Sequence, residues 1–199
     1  PVSAEEIRAL GWDRPDVVII TGDAYVDHPA FGAAVIGRVL EAEGYKVAIM
    51  PQPDYRSDAD FQRMPAPRLF CGITAGNLDS MVSNYSPMKF RRKKDSFSPG
   101  GLPVKRPDRA TIVYANRARK AWPEAPIIIG GIEASMRRFA HYDYWDDSVR
   151  RSLLLDSRAD LLVYGMGEKA SIEAAGRLAA GNKDLAGING TAALLKEIP

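Results

Sequence analysis

The fold of this chain is decided by the stretch Ile127-Ile128-Ile129-Gly130-Gly131-Ile132-Glu133-Ala134-Ser135-Met136-Arg137-Arg138-Phe139-Ala140-His141-Tyr142-Asp143-Tyr144-Trp145. Its isoleucine run is typical of a strand that is buried on both faces. The run leads directly into a glycine pair, and a polar and aromatic segment follows. In an open α/β sheet, ligands bind at this edge, beyond the carboxyl ends of the strands. The stretch therefore predicts an α/β fold and the position of its working face, although it names no reaction.

Strands and helices alternate along the rest of the chain. The patterns predict strands at 16–21, 45–50, 68–73, 126–129 and 160–164, and helices at 30–43, 54–64, 77–84, 108–120, 132–138, 147–156, 168–180 and 191–196. Asp108 suits the N-cap of its helix. Alternation of this kind indicates a parallel sheet with helices on both faces. We therefore predict one flavodoxin-like, doubly wound domain over 1–199, with a five-stranded sheet of order 2-1-3-4-5.

The composition is that of an ordinary globular protein. Of 199 residues, 46% are hydrophobic and 26% are charged, which is enough apolar material for one full core. No apolar run reaches the length of about 18 residues that suggests a membrane span, and the N-terminal residues do not resemble a signal peptide. The single cysteine, Cys71, lies inside a predicted strand and is expected to be a buried thiol. We expect a cytoplasmic protein with no membrane partner.

Positive charge is concentrated in one part of the sequence. Residues 86–120 hold eleven Lys or Arg and two Asp, a net charge of +9, which leaves −7 for the rest of a chain of net charge +2. Within this part, 86–107 is a basic, irregular insert that is too long for a simple connection. Its run Lys89–Lys94 is interleaved with aromatic residues, a pattern that suits phosphate contacts and base stacking. RNA binding through 85–120 is therefore one hypothesis, and a solvated loop is the other.

Four predicted loops, 21–29, 74–80, 130–137 and 165–168, should meet at the carboxyl edge of the sheet. We call this edge the rim. Polar and glycine residues in three of these loops, with two from the segment that follows Arg137, form the candidate site. The candidates are Gly22, Asp23, His28, Thr74, Asn77, Asp79, Gly130, Gly131, Glu133, Arg137, His141 and Asp143. The carboxylates would accept hydrogen bonds, a histidine would donate or shuttle a proton, and the arginine would hold an anion.

Structural alternatives stay open for these residues. Gly130-Gly131 can present N–H groups to an anion, or can simply form a tight turn. Asp27 or His28 can cap the following helix, and no second His or Cys lies near His28, so no metal site is expected. The segment 141–147 suits a ligand pocket, an interface with another domain, or a loop that fills a gap.

Several long motifs carry a family resemblance. They are Val18–Pro29, Thr74–Met81, Pro99–Gly101, Lys105–Asp108, Ile127–Arg138 and His141–Trp145. Together they span nearly the whole chain, and they closely resemble the N-terminal region of the YgiQ family of radical S-adenosylmethionine (SAM) proteins.

The resemblance implies a longer protein. Relatives of this kind carry a downstream radical SAM barrel whose Cys-x3-Cys-x2-Cys motif binds a 4Fe-4S cluster that cleaves SAM to a carbon radical. The motif needs three cysteines, and this chain has one. The chain is thus identified as an N-terminal accessory domain that holds no cofactor itself. We expect it to partner its own downstream barrel, to help enclose the substrate, and to be inactive alone.

The domain also looks like the cobalamin-binding domains that precede the barrel in other radical SAM enzymes. Those share the five-stranded order and often a Gly-Gly after the fourth strand, as at Gly130-Gly131. Many cobalamin carriers place Asp-x-His-x-x-Gly after the first strand, and here Asp27 and His28 are adjacent. The spacing therefore argues against a histidine-ligated corrinoid, and a degenerate or atypical corrinoid-binding domain is the remaining alternative.

Overall fold

A computed structural model describes residues 1–195 and contains a six-stranded sheet. Its strands are β1 (Val17–Thr21), β2 (Val47–Pro51), β3 (Phe70–Thr74), β4 (Ile127–Gly130), β7 (Leu161–Val163) and β8 (Thr191–Ala193), while β5 (His141–Asp143) and β6 (Ser148–Arg150) form a separate hairpin. Five strands of the sheet run parallel in the order β2-β1-β3-β4-β7, and β8 is added antiparallel to β7 at the edge. The predicted flavodoxin-like order is confirmed, since the five parallel strands follow 2-1-3-4-5 in their own sequence of appearance.

Helices cover both faces of the sheet because the strand residues alternate between two cores. One face, which we call the α5 face, packs α5 (Ala110–Ala121), α7 (Leu153–Ser157) and the short helices around them. The other, the α2–α8 face, packs α2 (Gly32–Ala42) and α8 (Glu168–Ala179). The remaining helices are α1 (Ala4–Ala9), α3 (Ala59–Gln62), α4 (Ser80–Asn84) and α6 (Gly131–Met136). Cys71 is buried in β3, as predicted.

One predicted helix is wrong, and another forms only over its second half. Where a helix was expected at 147–156, residues 148–150 form β6 (Ser148–Arg150), which pairs antiparallel with β5 (His141–Asp143), and helix α7 begins only after Ser152. Ser152 is extended and its hydroxyl accepts from the N–H of Leu154, which marks the real helix start. Where a helix was expected at 191–196, residues 191–193 form strand β8, Leu194 and Leu195 are irregular, and residue 196 lies outside the described residues. Pairing with the free edge of β7 overrides the helical propensity of the two alanines in β8.

Other helices begin later than predicted. The helix expected at 54–64 is confined to α3, and the one expected at 77–84 begins at Ser80, because Asp79 is its N-cap. Asp108 does not cap α5. Arg109 occupies the N-cap position, whereas the Asp108 carboxylate accepts hydrogen bonds from the Asn84 amide and the Tyr85 hydroxyl.

The insert 86–107 is largely irregular, as predicted, with one 3-10 turn at Pro99–Gly101. It lies against the rim and the β5–β6 hairpin, where the Tyr144 hydroxyl donates to the Pro87 carbonyl at 2.8 Å. Among residues 1–195, no helix has the length and apolar character needed to cross a membrane.

Candidate functional site

The ends of β1 and β3 bring several predicted site residues together at the rim. The N–H of Gly22 donates to the Thr74 carbonyl at 3.1 Å, and the N–H of Asn77 donates to the Asp23 carboxylate at 2.7 Å. Gly131 packs so closely on Thr74 that an added Cβ would collide with the Thr74 hydroxyl, and its φ of 81° also favours glycine. The loops after β1, β3 and β4 therefore meet at one edge, and the N–H of Gly165 in the fourth predicted loop donates to the Ser135 hydroxyl at 3.2 Å, which brings that loop to the same edge.

Arg106 anchors the basic insert inside this rim. Its guanidinium is fully buried and lies 2.7 Å from Asp23 and 3.2 Å from Asp95, both of which are also buried. The same guanidinium donates to the carbonyl of Ala75. A side chain at Gly76, where φ is 109°, would collide with the Asp23 carboxylate. The group is thus a closed ionic junction between the insert and the loops after β1 and β3.

Asp23 is the electrostatically unusual member of this junction. Burial raises the pKa of its carboxyl above the ordinary value, against the opposing effects of Arg106 and the Asn77 N–H, while Asp95 adds to the rise. One guanidinium pairs with two buried carboxylates here, so the negative charge of Asp23 is not fully neutralised. A buried carboxyl with a raised pKa can hold or transfer a proton nearer to neutral pH than an ordinary aspartate can.

A cavity of about 150 Å³ opens at the rim beside Asp23. Asp23, Thr74, Asn77 and Gly131 line it, together with the aromatic rings of Tyr25 and Phe31. Four predicted site residues therefore face one space. The polar edge and aromatic walls of this rim cavity suit an organic ligand with hydrogen-bonding groups.

Glu133 is buried and serves two helix N-termini. Its carboxylate accepts from the N–H and hydroxyl of Ser80 at the start of α4, and from the N–H of Thr111 at the start of α5, the latter at 3.0 Å. These donors have no partner within their own helices, so the carboxylate satisfies them. Glu133 also occupies the first turn of α6, a helix of six residues, and its charge disfavours an anion at Gly130-Gly131.

Asp79 and Arg137 form the next pair along the rim. The Asp79 carboxylate caps α4 by accepting from the N–H groups of Met81 and Val82, and its second oxygen pairs with Arg137. Burial lowers the pKa of Arg137 below its ordinary value, although Asp143 opposes this. With its guanidinium on Asp79, Arg137 fastens α6 to α4, and it would need to leave Asp79 to hold an external anion.

Asp143 holds the hairpin to the N-terminus of α5. Its carboxylate accepts from Arg109 at 2.8 Å and from Arg150 at 2.6 Å. Burial alone would raise its pKa, but the hydrogen bonds from Arg109 and from the Trp145 N–H lower the pKa of Asp143 to about 2. Asp146 pairs with the same two arginines. The carboxylate therefore stays ionised and acts as an anchor for the hairpin.

The two histidines lie apart from these clusters. The Nδ1 atom of exposed His28 accepts from the N–H of Ala30 at 3.1 Å, and Asp27 pairs with Arg38. His28 thus caps the turn before α2, while the N-cap position belongs to Phe31. Nδ1 of His141 lies 3.2 Å from the Phe139 carbonyl. No group of three or more His, Cys, Asp or Glu that could hold a metal is found within the part of the chain that the structure describes.

Much of the charge in the basic segment is paired. Six of its cations contact carboxylates, namely Arg91, Arg106, Arg109, Arg117, Arg119 and Lys120. Lys89 donates to the Trp145 carbonyl and lies 4.7 Å from the Tyr144 ring centre. The net charge of +9 therefore overstates the number of cations that are free to contact phosphates. RNA binding stays a prediction that rests on the sequence pattern.

Sequence reasoning missed Arg106 and Asp95 as members of the rim. Both lie in the insert, where they were counted only as part of its charge. The sequence offers one faint signal, since Arg106 stands apart from the run Lys89–Lys94 and directly precedes Pro107. Its partner Asp23 is distant in sequence, so only the folded chain shows the contact.

Comparison with known proteins places this geometry in a family. The family model described as Radical SAM N-terminal matches residues 1–198. The chain is 59% identical over 170 residues to a UPF0313 protein of Thermotoga maritima, covering 85% of this chain and 30% of that protein. It is 52% identical over 199 residues to the UPF0313 protein YgiQ of Escherichia coli K12, covering 99% of this chain and 27% of that protein. The chain thus spans less than a third of these relatives.

Solved structures of a radical SAM methyltransferase share the fold. TsrM from Kitasatospora setae, in a structure with cobalamin and a [4Fe-4S] cluster bound, superposes with a TM-score of 0.60 at 21% identity, covering 90% of this chain and 27% of that one. A second TsrM structure, with tryptophan substrate and a SAM analogue bound, gives the same TM-score at 22% identity. At this level of identity the likeness establishes the fold alone.

Proposed function

This chain belongs to the Radical SAM N-terminal family, and from that membership we propose that it is the accessory domain of a longer radical SAM protein. In this proposal the rim covers one side of the site at which the downstream part holds its substrate and cofactors. The domain would keep water away from radical chemistry that it does not itself perform.

One observation carries the proposal: each rim loop exposes a large apolar side chain. Val26, Leu78, Ile132 and Met166 follow β1, β3, β4 and β7 in turn, and they are 45%, 41%, 44% and 85% exposed. Apolar groups gathered on one edge are characteristic of a surface that another protein surface covers. The relatives are more than three times as long as the matched part. The surface that covers the rim is therefore expected to belong to the same polypeptide.

The cluster and SAM belong to the downstream part in this proposal. A four-iron cluster needs several cysteine thiolates, whereas the chain has Cys71 alone, buried in β3, and burial raises the pKa of its thiol. The residues of this chain therefore do not fit a cluster, and its own contribution is to shape and close the site.

Thiol labelling tests the covering of the rim. We would place a cysteine at Met166→Cys and, as a matched control, at Leu10→Cys, an exposed apolar position that precedes β1. The rate of alkylation at each would be measured by peptide mass spectrometry in this chain and in the longer protein. We expect labelling at position 166 to slow at least tenfold in the longer protein and labelling at position 10 to stay unchanged. Equal rates at position 166 in both proteins would overturn the proposal.

An atypical corrinoid-binding domain is a second candidate, which the fold shared with TsrM over 90% of the chain favours. His28 does not fit the role of a cobalt ligand held by a neighbouring carboxylate, because Asp27 is paired with Arg38. The candidate is therefore a corrinoid held without a histidine ligand. Gel filtration after incubation with hydroxocobalamin tests it: co-eluting absorbance that survives His28→Ala supports this form, and no co-elution rejects it.

A further inference from the structure

The β5–β6 hairpin turns its apolar side away from the domain. Tyr142 and Val149 lie directly opposite each other on the two strands, so their side chains share one face, and they are 60% and 78% exposed. On the inward face, the Asp143 carboxylate accepts from Arg109 and Arg150. A hairpin with one face in water normally turns its polar residues outward. The reversed arrangement is that of a hairpin whose outer face is covered by another surface.

Exposed apolar side chains of the insert extend this outer face. The Nζ atom of Lys89 lies 4.7 Å from the centre of the Tyr144 ring, which places the turn 86–90 beside the hairpin. The turn carries Met88 and Phe90, which are 75% and 72% exposed. The exposed apolar residues of the turn and the hairpin together form what we call the hairpin patch: Met88, Phe90, Tyr142, Tyr144 and Val149.

The rings of the hairpin patch and those beside it are held in place by contacts within the domain. The Tyr142 hydroxyl donates to the Asp147 carboxylate at 2.6 Å. The rings of Tyr85 and Trp145 pack at 5.1 Å between centres and join the insert to the hairpin. Large side chains that are already fixed lose little conformational freedom when a partner binds. The patch therefore suits a docking surface that needs no rearrangement.

Three cations flank the hairpin patch. Arg92, Lys93 and Lys94 follow Phe90 closely in the sequence and are exposed. Arg92 donates to the carbonyls at the end of α4, and among residues 1–195 the ion pairs of this segment involve other cations. Protein interfaces commonly have an apolar and aromatic centre with charged residues around it. Charge complementarity therefore predicts a partner surface that is apolar at its centre and carries carboxylates beside it.

The side chains of the patch favour a protein partner over a nucleic acid. Single-stranded nucleic acids bind by stacking bases on aromatic rings, but Met88 and Val149, the two most exposed members of the patch, are aliphatic. The ring of Tyr144 also already contacts Lys89. Methionine, aromatic residues and arginine are enriched at protein interfaces, and the patch and its flank combine all three.

We propose that the hairpin patch docks on an acidic surface of the downstream part of the longer polypeptide. The inference rests on the proposed function for the existence of that part, since the relatives are more than three times as long as the matched region. A partner in the same chain has a high effective concentration, so even a small patch engages it. The patch lies on the hairpin and the insert, apart from the four apolar residues of the rim. Docking at this second place fixes the orientation in which the rim covers the downstream site.

Thiol labelling at Val149→Cys tests the proposal. The substitution changes the size of the side chain little, and Leu10→Cys is the exposed control. Alkylation would be followed by peptide mass spectrometry in this chain and in the longer protein. We expect labelling at position 149 to slow about tenfold or more in the longer protein, with no change at position 10. Equal rates at position 149 in the two proteins would overturn the proposal.

The same experiment separates this proposal from the covering of the rim and from other partners. Slowing at position 166 without slowing at position 149 would reject the docking of the patch and leave the rim proposal standing, and the reverse result would do the opposite. Slowing at position 149 that grows with the concentration of this chain alone would assign the patch to a second copy. Slowing in this chain on addition of oligouridylate would assign it to single-stranded RNA, and either assignment overturns the proposal.

Charge substitutions in the Val149→Cys background test the predicted chemistry of the partner. Phe90→Asp places an unpaired charge in the patch and should return the labelling rate in the longer protein to within about twofold of the rate in this chain. Leu10→Asp is its control and should leave the rate unchanged. Lys93→Glu should raise the rate about threefold, because it removes a cation that faces carboxylates. Lys183→Glu, at an exposed lysine after α8, is the matched control.

Unfolding by urea shows that these variants act on docking and not on the fold. Both altered side chains of the patch region are exposed, so the urea midpoint of this chain alone should not change with Phe90→Asp or Lys93→Glu. Full protection of position 149 in the longer protein carrying Phe90→Asp would overturn the proposal. Equal effects of Lys93→Glu and Lys183→Glu would overturn the acidic character of the partner surface.

Discussion

The two faces of the sheet are packed in different ways. The α5 face buries large side chains, among them Phe61, Tyr114 and Trp122, each no more than 5% exposed. The α2–α8 face is lined in part by glycine, alanine and serine residues and leaves a half-open cleft of about 320 Å³, the α2–α8 slot. Dense packing maximises contacts and fixes one arrangement, whereas small residues give up stability and leave room. The α5 face is therefore the more densely packed side of the domain, and the α2–α8 face keeps a cleft beside the sheet.

The largest expected effect concerns the ionic junction on the α5 side. Arg106→Met should lower the free energy of unfolding by about 3–5 kcal/mol, because it leaves Asp23 and Asp95 buried without their cation. The matched change on the other side is Arg38→Met in α2, whose pairs with Asp27 and Glu41 are exposed, and it should cost less than about 1 kcal/mol. Urea unfolding of both variants checks this, and similar losses would contradict the difference between the two sides.

A pair of phenylalanines compares the packing of the two cores directly. Phe61→Ala on the α5 face should cost about 3–5 kcal/mol, the usual range for a well-packed ring. Phe70→Ala should cost about 1–2 kcal/mol less, because Phe70 lines the slot and already lacks partner atoms on one side. Thermal or urea unfolding of the two variants in ligand-free protein measures the difference. An equal cost would mean that the slot is as well packed as the opposite core.

Two buried carboxylates on the α5 side should respond to pH in opposite ways. The folded pKa of Asp143 is about 2, against 3.8 ordinarily. Its stabilisation is therefore present above pH 3.8 and is lost as pH falls from there through about 2. Asp143→Asn should cost about 1–2 kcal/mol at neutral pH and nothing below pH 2.

Asp23 has a folded pKa above its ordinary 3.8. Its contribution is present below pH 3.8 and is lost as pH rises through the folded pKa. Relative to the wild type, Asp23→Asn should therefore gain stability as pH rises above 3.8. Asp143→Asn should instead lose stability relative to the wild type as pH rises from about 2 to 3.8. Urea unfolding of both variants and the wild type between pH 2 and 7 measures this. If the stability difference from the wild type changed with pH in the same direction for both variants, the pKa shift of one of the two carboxyls would be wrong.

Substitutions that add side-chain volume should change the free energy of unfolding in opposite directions on the two faces. In ligand-free protein, Ser171→Leu should raise the free energy of unfolding by about 1 kcal/mol, because it fills the slot. Ala118→Leu on α5, at a position only 1% exposed, should lower it by about 1–3 kcal/mol through overpacking. Destabilisation by both would indicate that the slot walls are as rigid as the opposite core.

Much of the candidate site could be predicted because parallel strands end at one edge. Asp23, Thr74, Asn77 and Gly131 were placed together by that rule, and they line one rim cavity. The rule does not say, however, which groups will form hydrogen bonds with each of these side chains. Glu133 and Asp79 were expected to meet a ligand, yet they accept hydrogen bonds from the starts of α4 and α5. Sequence spacing could not reveal this, because which helix ends meet a carboxylate depends on how the helices pack.

The sequence by itself determined the five parallel strands, their order and the position of the rim, because buried strands and turn glycines leave a local and periodic pattern in the chain. It also placed Cys71 in the core. Only the tertiary structure decided that Arg106 enters the rim, that residues 141–150 form a hairpin, and that α2 and α8 stand far enough from the sheet to leave a slot. All three features depend on how helices, strands and loops pack against one another. No local pattern in the sequence records that packing, because the residues that meet are distant in the chain.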